Sequence, residues 1–245
     1  MMTLKSSKNP MLRWTLLISG LLSPALAFAQ IALHYNERPP YLVLKDGQLT
    51  GLTGSPAVAA FKAAGIGFTL HFTPTARQLA MIKDNVGMDC GIGWFKNEER
   101  EVFARFTKPI YQDRPQIALA AARNSKVKDG ATVESVLGNK GLTLLVKQGY
   151  SYGKTLDALI TRLQPVQHAV AVENVQMLKI ILAERADYML IAPEEVDGLI
   201  AASDVSSAEI RKASFSNAPN GENRYILCSK NVPDETISKL NSVIK

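Results

Sequence analysis

Cysteine is almost missing from this 245-residue chain: Cys90 and Cys228 are the only two. Both sit in apolar, strand-like phrases, MDCGIGW and RYILCSK. Two outcomes stand open for them, a disulfide in an oxidising compartment or two buried free thiols acting as small hydrophobes. Histidine is as scarce. His34, His71 and His168 show none of the short-range spacings that zinc sites use, so no metal is implied. There is also no P-loop, no Gly-rich nucleotide phrase and no Ser-His-Asp arrangement, which removes the common nucleotide-binding and nucleophilic-hydrolase readings and leaves no cofactor implied. Low-complexity tracts and internal repeats are absent as well.

Long apolar runs are limited to one, TLLISGLLSPALAFA, preceded by Lys5, Lys8 and Arg13 and ending in Ala27-Phe28-Ala29. That is the pattern of a secretory signal over residues 1–29, with cleavage before Gln30. Gly20 and Pro24 interrupt the run, and a membrane span needs roughly 20 apolar residues. No cysteine follows the cleavage site, so the acceptor of a lipoprotein anchor is lacking, and the expected location is periplasmic. The leader holds three of the 28 Lys+Arg and none of the 22 Asp+Glu, so the formal charge falls from +6 to +3 without it. No dense basic run with interleaved aromatics survives, which argues against nucleic acid.

Along residues 30–245, strand-like and helix-like phrases alternate. IALHYN is a short apolar run, Pro39-Pro40 force an extended or turning path, and Asp46-Gly47 reads as a tight turn between strands. SPAVAAFKAAG reads as a helix with Ser55 as N-cap, Pro56 in first position and Gly65 closing it. A strand at GFTLHFTP, a helix at ARQLAMIKDN and the strand MDCGIGWF follow, then a helix carrying Arg100. After a polar stretch the alternation resumes, in GLTLLVKQGYSYGKTLDALI and again in HAVAVENVQMLKIILAERADYMLIAPEEVDGLI. Strands alternating with helices predict βαβ units and largely parallel sheets, whose ligands bind beyond the carboxyl ends of the strands. The order predicts two α/β lobes: residues 30–113 as the first, 114–224 as the second, and 225–245 as a second crossing strand and a helix returning to the first.

The stretch DCGIGWFKNEEREVFARFTKPIY holds the most specific pattern, R-x-x-x-x-x-F-[ST]-x-P-x-Y, as Arg100, Phe106, Thr107, Pro109 and Tyr111. It resembles the ligand-clamping segment of bacterial extracellular solute-binding proteins of family 3. PPY with DGQLTGL, KQGYSYGKTL, ERADYML and RYILCSKNVPDETISKLN resemble further phrases of that family in the same order. The resemblance implies the type II periplasmic binding protein fold, two α/β lobes on a two-strand hinge. It also implies capture of a small solute, an ABC transporter permease as partner, a monomer and no catalysis. Arg100 would grip a ligand carboxylate, a task that suits a planar, permanently charged guanidinium. Its other reading is an exposed helical arginine paired with Glu99 or Glu101.

Departures from the family bear on the ligand. Arg38 stands where an aromatic usually precedes the Pro pair; Ala76, with Arg77 beside it, replaces another aromatic; Phe95 and Asn97 fall where a serine and a threonine are usual. The acidic residue that would hold an α-ammonium aligns with Ala192, with Glu194 and Glu195 close but shifted. The expected ligand-binding set is Arg100, Arg77, Trp94, Phe95, Asn97, Arg38, Tyr150 and Ser151, a cationic site with flat apolar surface that suits an organic anion. Arg38 and Arg77 also read as structural or solvated, Tyr150 and Ser151 as turn and cap residues, and Trp94 as a core indole. Two other function classes stand beside the importer reading. One is a same-fold enzyme, a dehydratase of a cyclic carboxylic acid, with Glu98, Glu173 or His34 as acid or base. The other is a ligand-sensing module for a membrane partner.

Overall fold

The computed structural model describes residues 1–3 and 30–245, so the expected leader, apart from its first three residues, lies outside the described residues. The first part of the chain runs β1 (Ile31–Tyr35), β2 (Val43–Lys45), β3 (Gln48–Thr50), α1 (Gly54–Ala63), β4 (Phe68–Phe72), α2 (Thr75–Asp84), β5 (Asp89–Phe95), α3 (Glu98–Phe103), β6 (Ala104–Phe106) and β7 (Tyr111–Gln112). It continues with β8 (Ile117–Ala121), α4 (Val133–Leu137), β9 (Thr143–Lys147), α5 (Lys154–Leu163), β10 (Val166–Val170), α6 (Asn174–Leu182), β11 (Tyr188–Ile191), α7 (Pro193–Ala201) and β12 (Ile210–Ala213). β13 (Asn223–Ser229) and α8 (Asp234–Val243) close the chain. Among the described residues no helix is long and apolar enough to cross a membrane.

Two sheets result. The first has the order β4-β1-β5-β13-β6, with β7 also on β13; the second has the order β10-β9-β11-β8-β12. Strands joined by helices pair in parallel, β1 with β4 and β5, and β9 with β10 and β11. The antiparallel pairings belong to β13 against β5, β6 and β7 and to β8 against β11 and β12. These are the strands next to the passages between sheets, where no crossover helix is needed to reverse direction. The chain leaves the first sheet after β7 and returns at β13, which starts at Asn223, two residues before the boundary expected at 225. At the passage Asp113 N–H donates to the Glu222 carbonyl at 2.9 Å. Gly221 lies so close that a Cβ there would sit 1.8 Å from the Asp113 carbonyl oxygen, so the two connections can run side by side only with glycine at this position.

Each sheet carries its own core. In β8 all five residues are buried: Ala118 and Ala120 face the cluster of Leu137, Leu144, Leu156 and Tyr188, while Ile117 and Leu119 face Leu145, Met177, Leu178 and Val196. That two-residue alternation between two apolar faces is what a strand covered by helices on both sides requires. In the first lobe Leu33, Phe61, Ile92 and Ile226 anchor one face. Cys90 and Cys228 are register partners on β5 and β13 and form a disulfide, which resolves the choice left open by the sequence.

Local readings meet the structure with one correction. Asp46 and Gly47 take positive φ of 51° and 71° in the β2–β3 hairpin, as a tight Asp-Gly turn demands. Gly65, φ 66°, follows the last residues of α1 as a left-handed terminator. Ser55 is not the N-cap of α1: Thr53 holds that position, with its hydroxyl given to the Tyr41 carbonyl at 3.2 Å, while the Ser55 hydroxyl accepts the Gly51 N–H at 3.1 Å. The preceding loop bonds back onto Tyr41 and starts the helix at Gly54, so Pro56 is its third residue and not, as the Ser-Pro signal predicts, its first.

Candidate functional site

The carboxyl end of β5, the start of α3, the β1–β2 loop and the β9–α5 turn meet between the lobes around a cavity of about 70 Å³. Arg100 is the clearest contact across it. Asn97 caps α3 by accepting the Arg100 N–H at 2.9 Å, and the arginine side chain turns back from there. Its Nη1 donates to the Phe95 carbonyl in the first lobe at 2.7 Å and its Nη2 to the Gly149 carbonyl in the second at 2.9 Å. The guanidinium stands 4.9 Å from the Trp94 ring centroid, and the residue is only 5% exposed. Burial draws its pKa down, against the weaker opposing pull of Asp157, Glu99 and Tyr150. Among the described residues no carboxylate forms an ion pair with it: Glu101, one of the partners considered from sequence, pairs with Lys96 at 2.7 Å.

The other cations at the cavity are matched. Arg38, from the first lobe, presents Nε and Nη2 to the two carboxylate oxygens of Glu195 on α7 of the second, both at 2.6 Å. Burial opposes the charge on Arg38, but Glu195 reverses that and holds its pKa well above the usual value. Arg224 on β13 makes a second fork with Asp113, at 2.6 and 2.7 Å, and gives its third donor to the Gly93 carbonyl at 2.9 Å. Tyr41 adds its hydroxyl to Asp113 at 2.8 Å. Lys147 pairs with Glu173 and lies 4.6 Å from the Tyr150 ring. Burial pushes the Tyr150 phenol up, yet the neighbouring Arg38 and Lys147 outweigh it and leave its pKa below the ordinary value.

Among the described residues one buried polar atom lining the cavity lacks a partner, Gln116 Oε1, and a second, Thr75 Oγ1, has only the Tyr150 hydroxyl beside it; each residue is 8% exposed. A buried polar group without a hydrogen bond is costly. With Arg100 they make a set of one charged donor, one acceptor and one hydroxyl directed at the same space, which is the equipment for holding a small polar molecule.

Of the eight residues expected to bind ligand, Arg100, Trp94, Phe95, Arg38, Tyr150 and Ser151 line the cavity, and Arg77 and Asn97 do not. Arg77 is exposed because the buried face of α2 runs through Thr75, Gln78 and Ile82, and a residue two positions after Thr75 points away from that face. Gln78 instead accepts the Trp94 indole N–H at 3.3 Å. Asn97 is spent on capping α3. Ser151 reaches the cavity wall but gives its hydroxyl to Asp157, which also accepts the Tyr152 N–H, so it orders the turn before α5. The acid-base candidates lie elsewhere: His34 is buried between Thr73 and Asp89, Glu98 is exposed in the first turn of α3, and Glu173 belongs to Lys147.

Sequence reasoning missed Arg224, Lys147, Thr75 and Gln116. Arg224 and Lys147 stand inside strand phrases and read as ordinary strand residues, and their partners lie far away in sequence. Thr75 carried a usable signal: Thr75, Gln78 and Ile82 share a helical face, and polar residues on a face closed by an apolar one mark a wall that meets something polar.

No protein-family model matches the chain, and no curated protein matches it in sequence. Solved structures do. The arginine-, lysine-, histidine-binding protein ArtJ from Geobacillus stearothermophilus superposes with a TM-score of 0.70 at 16% identity, over 88% of this chain and 87% of that one. An ancestral arginine-binding protein bound to arginine gives 0.68 at 14% identity, over 88% and 91%. The glutathione- and cystine-import study of Streptococcus mutans supplies a third, 0.66 at 12% identity, over 87% and 86%. At these identities the likeness establishes the fold, the type II periplasmic binding protein fold with two α/β lobes, which is what the resemblance to solute-binding protein family 3 implied.

Proposed function

We propose that this chain is a solute-binding protein that captures a small organic carboxylate between its lobes and presents it to an ABC importer. The observation that carries the reading is Arg100, a guanidinium buried at the lobe boundary, held by two carbonyl oxygens and an indole face and matched by no carboxylate among the described residues. An arginine kept out of water with only neutral acceptors is electrostatically incomplete, and a carboxylate completes it with paired, charge-assisted hydrogen bonds. Trp94 under the guanidinium and Phe95 beside it give flat apolar surface for the rest of the ligand, and Tyr150 and Ser151 close the wall from the second lobe.

The mechanism is closure. Arg100 touches both lobes through Phe95 and Gly149, so a ligand seated on it contacts the shut form more fully than the open one and shifts the equilibrium by that difference in affinity. Of the side chains that would serve an enzyme, His34 and Glu173 are bonded to other groups of the chain and Glu98 is exposed at the start of α3, which favours binding over turnover. Solved structures similar to this chain include an arginine-, lysine-, histidine-binding protein and an ancestral protein bound to arginine or to glutamine, and another is the substrate binding protein of an amino acid ABC transporter; that likeness supports the importer reading.

The experiment is a titration of ligand-stripped protein with amino acids, dicarboxylates, aromatic acids and basic amines, followed by thermal shift and by tryptophan fluorescence, since Trp94 lies against Arg100. Saturable stabilisation by carboxylates that is lost in Arg100→Met is the expected result. Binding confined to amines, or carboxylate binding indifferent to Arg100, sinks the proposal.

A further inference from the structure

The charges around the cavity can be counted one by one. Glu195 is engaged on both oxygens by Arg38, with Asn174 Nδ2 at 3.3 Å and Arg224 Nη2 at 3.9 Å also facing it. Asp113 is engaged on both oxygens by Arg224 and by Tyr41. Glu173 is taken by Lys147. Glu195, the one carboxylate on the cavity wall among the described residues, is therefore committed to a cation of the chain, Asp157 behind the wall is taken by the Ser151 hydroxyl and the Tyr152 N–H, and Arg100 is the one cavity cation that forms no ion pair among the described residues.

The position of Arg38 sharpens the point. Its guanidinium carbon lies 5.4 Å from the ring centroids of both Tyr41 and Tyr150, with the Glu195 carboxylate at its donors. Two tyrosine rings and a buried carboxylate are the surroundings that would hold an organic ammonium or guanidinium, and the chain has filled them with its own side chain. A ligand ammonium entering here would find no free carboxylate and would stand near Arg38, Lys147 and Arg224. Selectivity is obtained as much by such unpaired or repelled charges as by attraction.

We infer that the ligand carries a carboxylate but no cationic group, and that Arg38 is the residue that sets this preference by occupying Glu195. The inference rests on the reading of Arg100 as carboxylate anchor and adds the class of acid. The unpartnered Gln116 Oε1 calls for a ligand hydrogen-bond donor, so hydroxy acids and amide-bearing acids fit better than plain alkyl acids. Zwitterionic α-amino acids are disfavoured.

Three matched triplets test it by calorimetry: propionate, lactate and alanine; succinate, malate and aspartate; 3-phenylpropionate, 3-phenyllactate and phenylalanine. In whichever skeleton binds, the acid or hydroxy acid should bind at least about tenfold tighter than the amino acid, because the ammonium meets an uncompensated charge. Arg38→Gln, which frees Glu195, should move that ratio toward the amino acid by about tenfold or more. Glu195→Gln, which leaves Arg38 and Arg100 both unmatched, should favour dicarboxylates over monocarboxylates, and it stands in if the first variant fails to fold. Wild-type protein that binds an amino acid as tightly as its partners, and loses it in Arg100→Met, overturns the inference and spares the anchor. An acid preference unchanged by Arg38→Gln and Glu195→Gln removes Arg38 from the explanation. Silence across all three triplets from folded protein overturns both readings.

Discussion

Two arginines join the lobes, Arg100 buried and Arg38 partly exposed, and they do so in opposite ways. Arg38 delivers its fork to a carboxylate of the other lobe, two bonds of 2.6 Å that satisfy charge and geometry together. Arg100 spans the same gap but rests on two neutral carbonyls and an indole face. The first is a complete electrostatic unit across the lobe boundary and, on the inference above, the feature that turns away other cations. The second leaves a charge unanswered, which is a stability cost in isolation and a source of affinity when an anion arrives. Arg224, matched to Asp113 at the hinge, belongs with the first kind, and exposed Arg77 belongs with neither. The surroundings, not the residue type, decide whether an arginine holds the fold or the ligand.

The largest effect should come from breaking the hinge pair. Asp113 has a side chain without exposed surface and accepts Arg224 twice and Tyr41 once. Asp113→Asn leaves the Arg224 charge buried and unmatched, so urea unfolding should show a loss of about 3–5 kcal/mol. A loss below about 1 kcal/mol, the range of exposed pairs, would mean that water reaches this arginine and that it is not the structural counterpart of Arg38.

Arg100 should behave in the reverse sense. Arg100→Met should weaken carboxylate binding by about 2–5 kcal/mol, while the unfolding free energy of ligand-free protein stays level or rises, because a desolvated charge with no anion has been removed. A variant that loses stability and affinity together would make Arg100 a second structural arginine and erase the contrast.

Much of this was legible before the structure, and the misses have physical causes. Alternation of apolar runs with helical phrases carried both lobes, since side-chain period is local information. The motif around Arg100 placed that residue at the cleft. Pairing between distant segments was not readable: Arg224 and Asp113 are 111 residues apart, Arg38 and Glu195 are 157 apart, and nothing along the chain announces which carboxylate a buried arginine will meet. The shift from the expected acidic position at Ala192 to Glu195 has the same origin. Ala192 is buried in the first-lobe core cluster, and the carboxylate three residues on, one turn into α7, is the one that faces Arg38. Asn97 was expected at the ligand from its place in the family pattern, whereas the local signal, an asparagine before a run of helix formers, is that of an N-cap, which is its role here.

Arg38 offers the next test of the comparison. Its pair with Glu195 contributes two hydrogen bonds between charged groups, each worth about 1.5–3 kcal/mol, and both run from one lobe to the other. Arg38→Gln should therefore shift ligand-free protein toward the open form, seen as a larger radius of gyration by small-angle scattering, with a smaller change in unfolding free energy because Glu195 becomes hydrated on opening. An unchanged radius would show that the apolar and backbone contacts between the lobes hold them shut without the ion pair.

The smallest effect belongs to Arg77. It lies on the outer face of α2, exposed, while Thr75, Gln78 and Ile82 turn inward. Arg77→Ala removes a solvated charge and replaces it with a better helix former, so both stability and carboxylate affinity should stay within about 0.5 kcal/mol of the parent. Thr75→Val, only two residues away, is the matching change on the inward face: it deletes a buried hydroxyl on the cavity wall that has only the Tyr150 phenol beside it and should alter affinity more than stability. If Arg77→Ala weakens binding as much as Arg100→Met, solvated positive charge steers the ligand from outside the cleft, and matching of buried charge ceases to be what separates the arginines. High salt decides that case, because screening abolishes steering by exposed charges while leaving a desolvated contact largely intact.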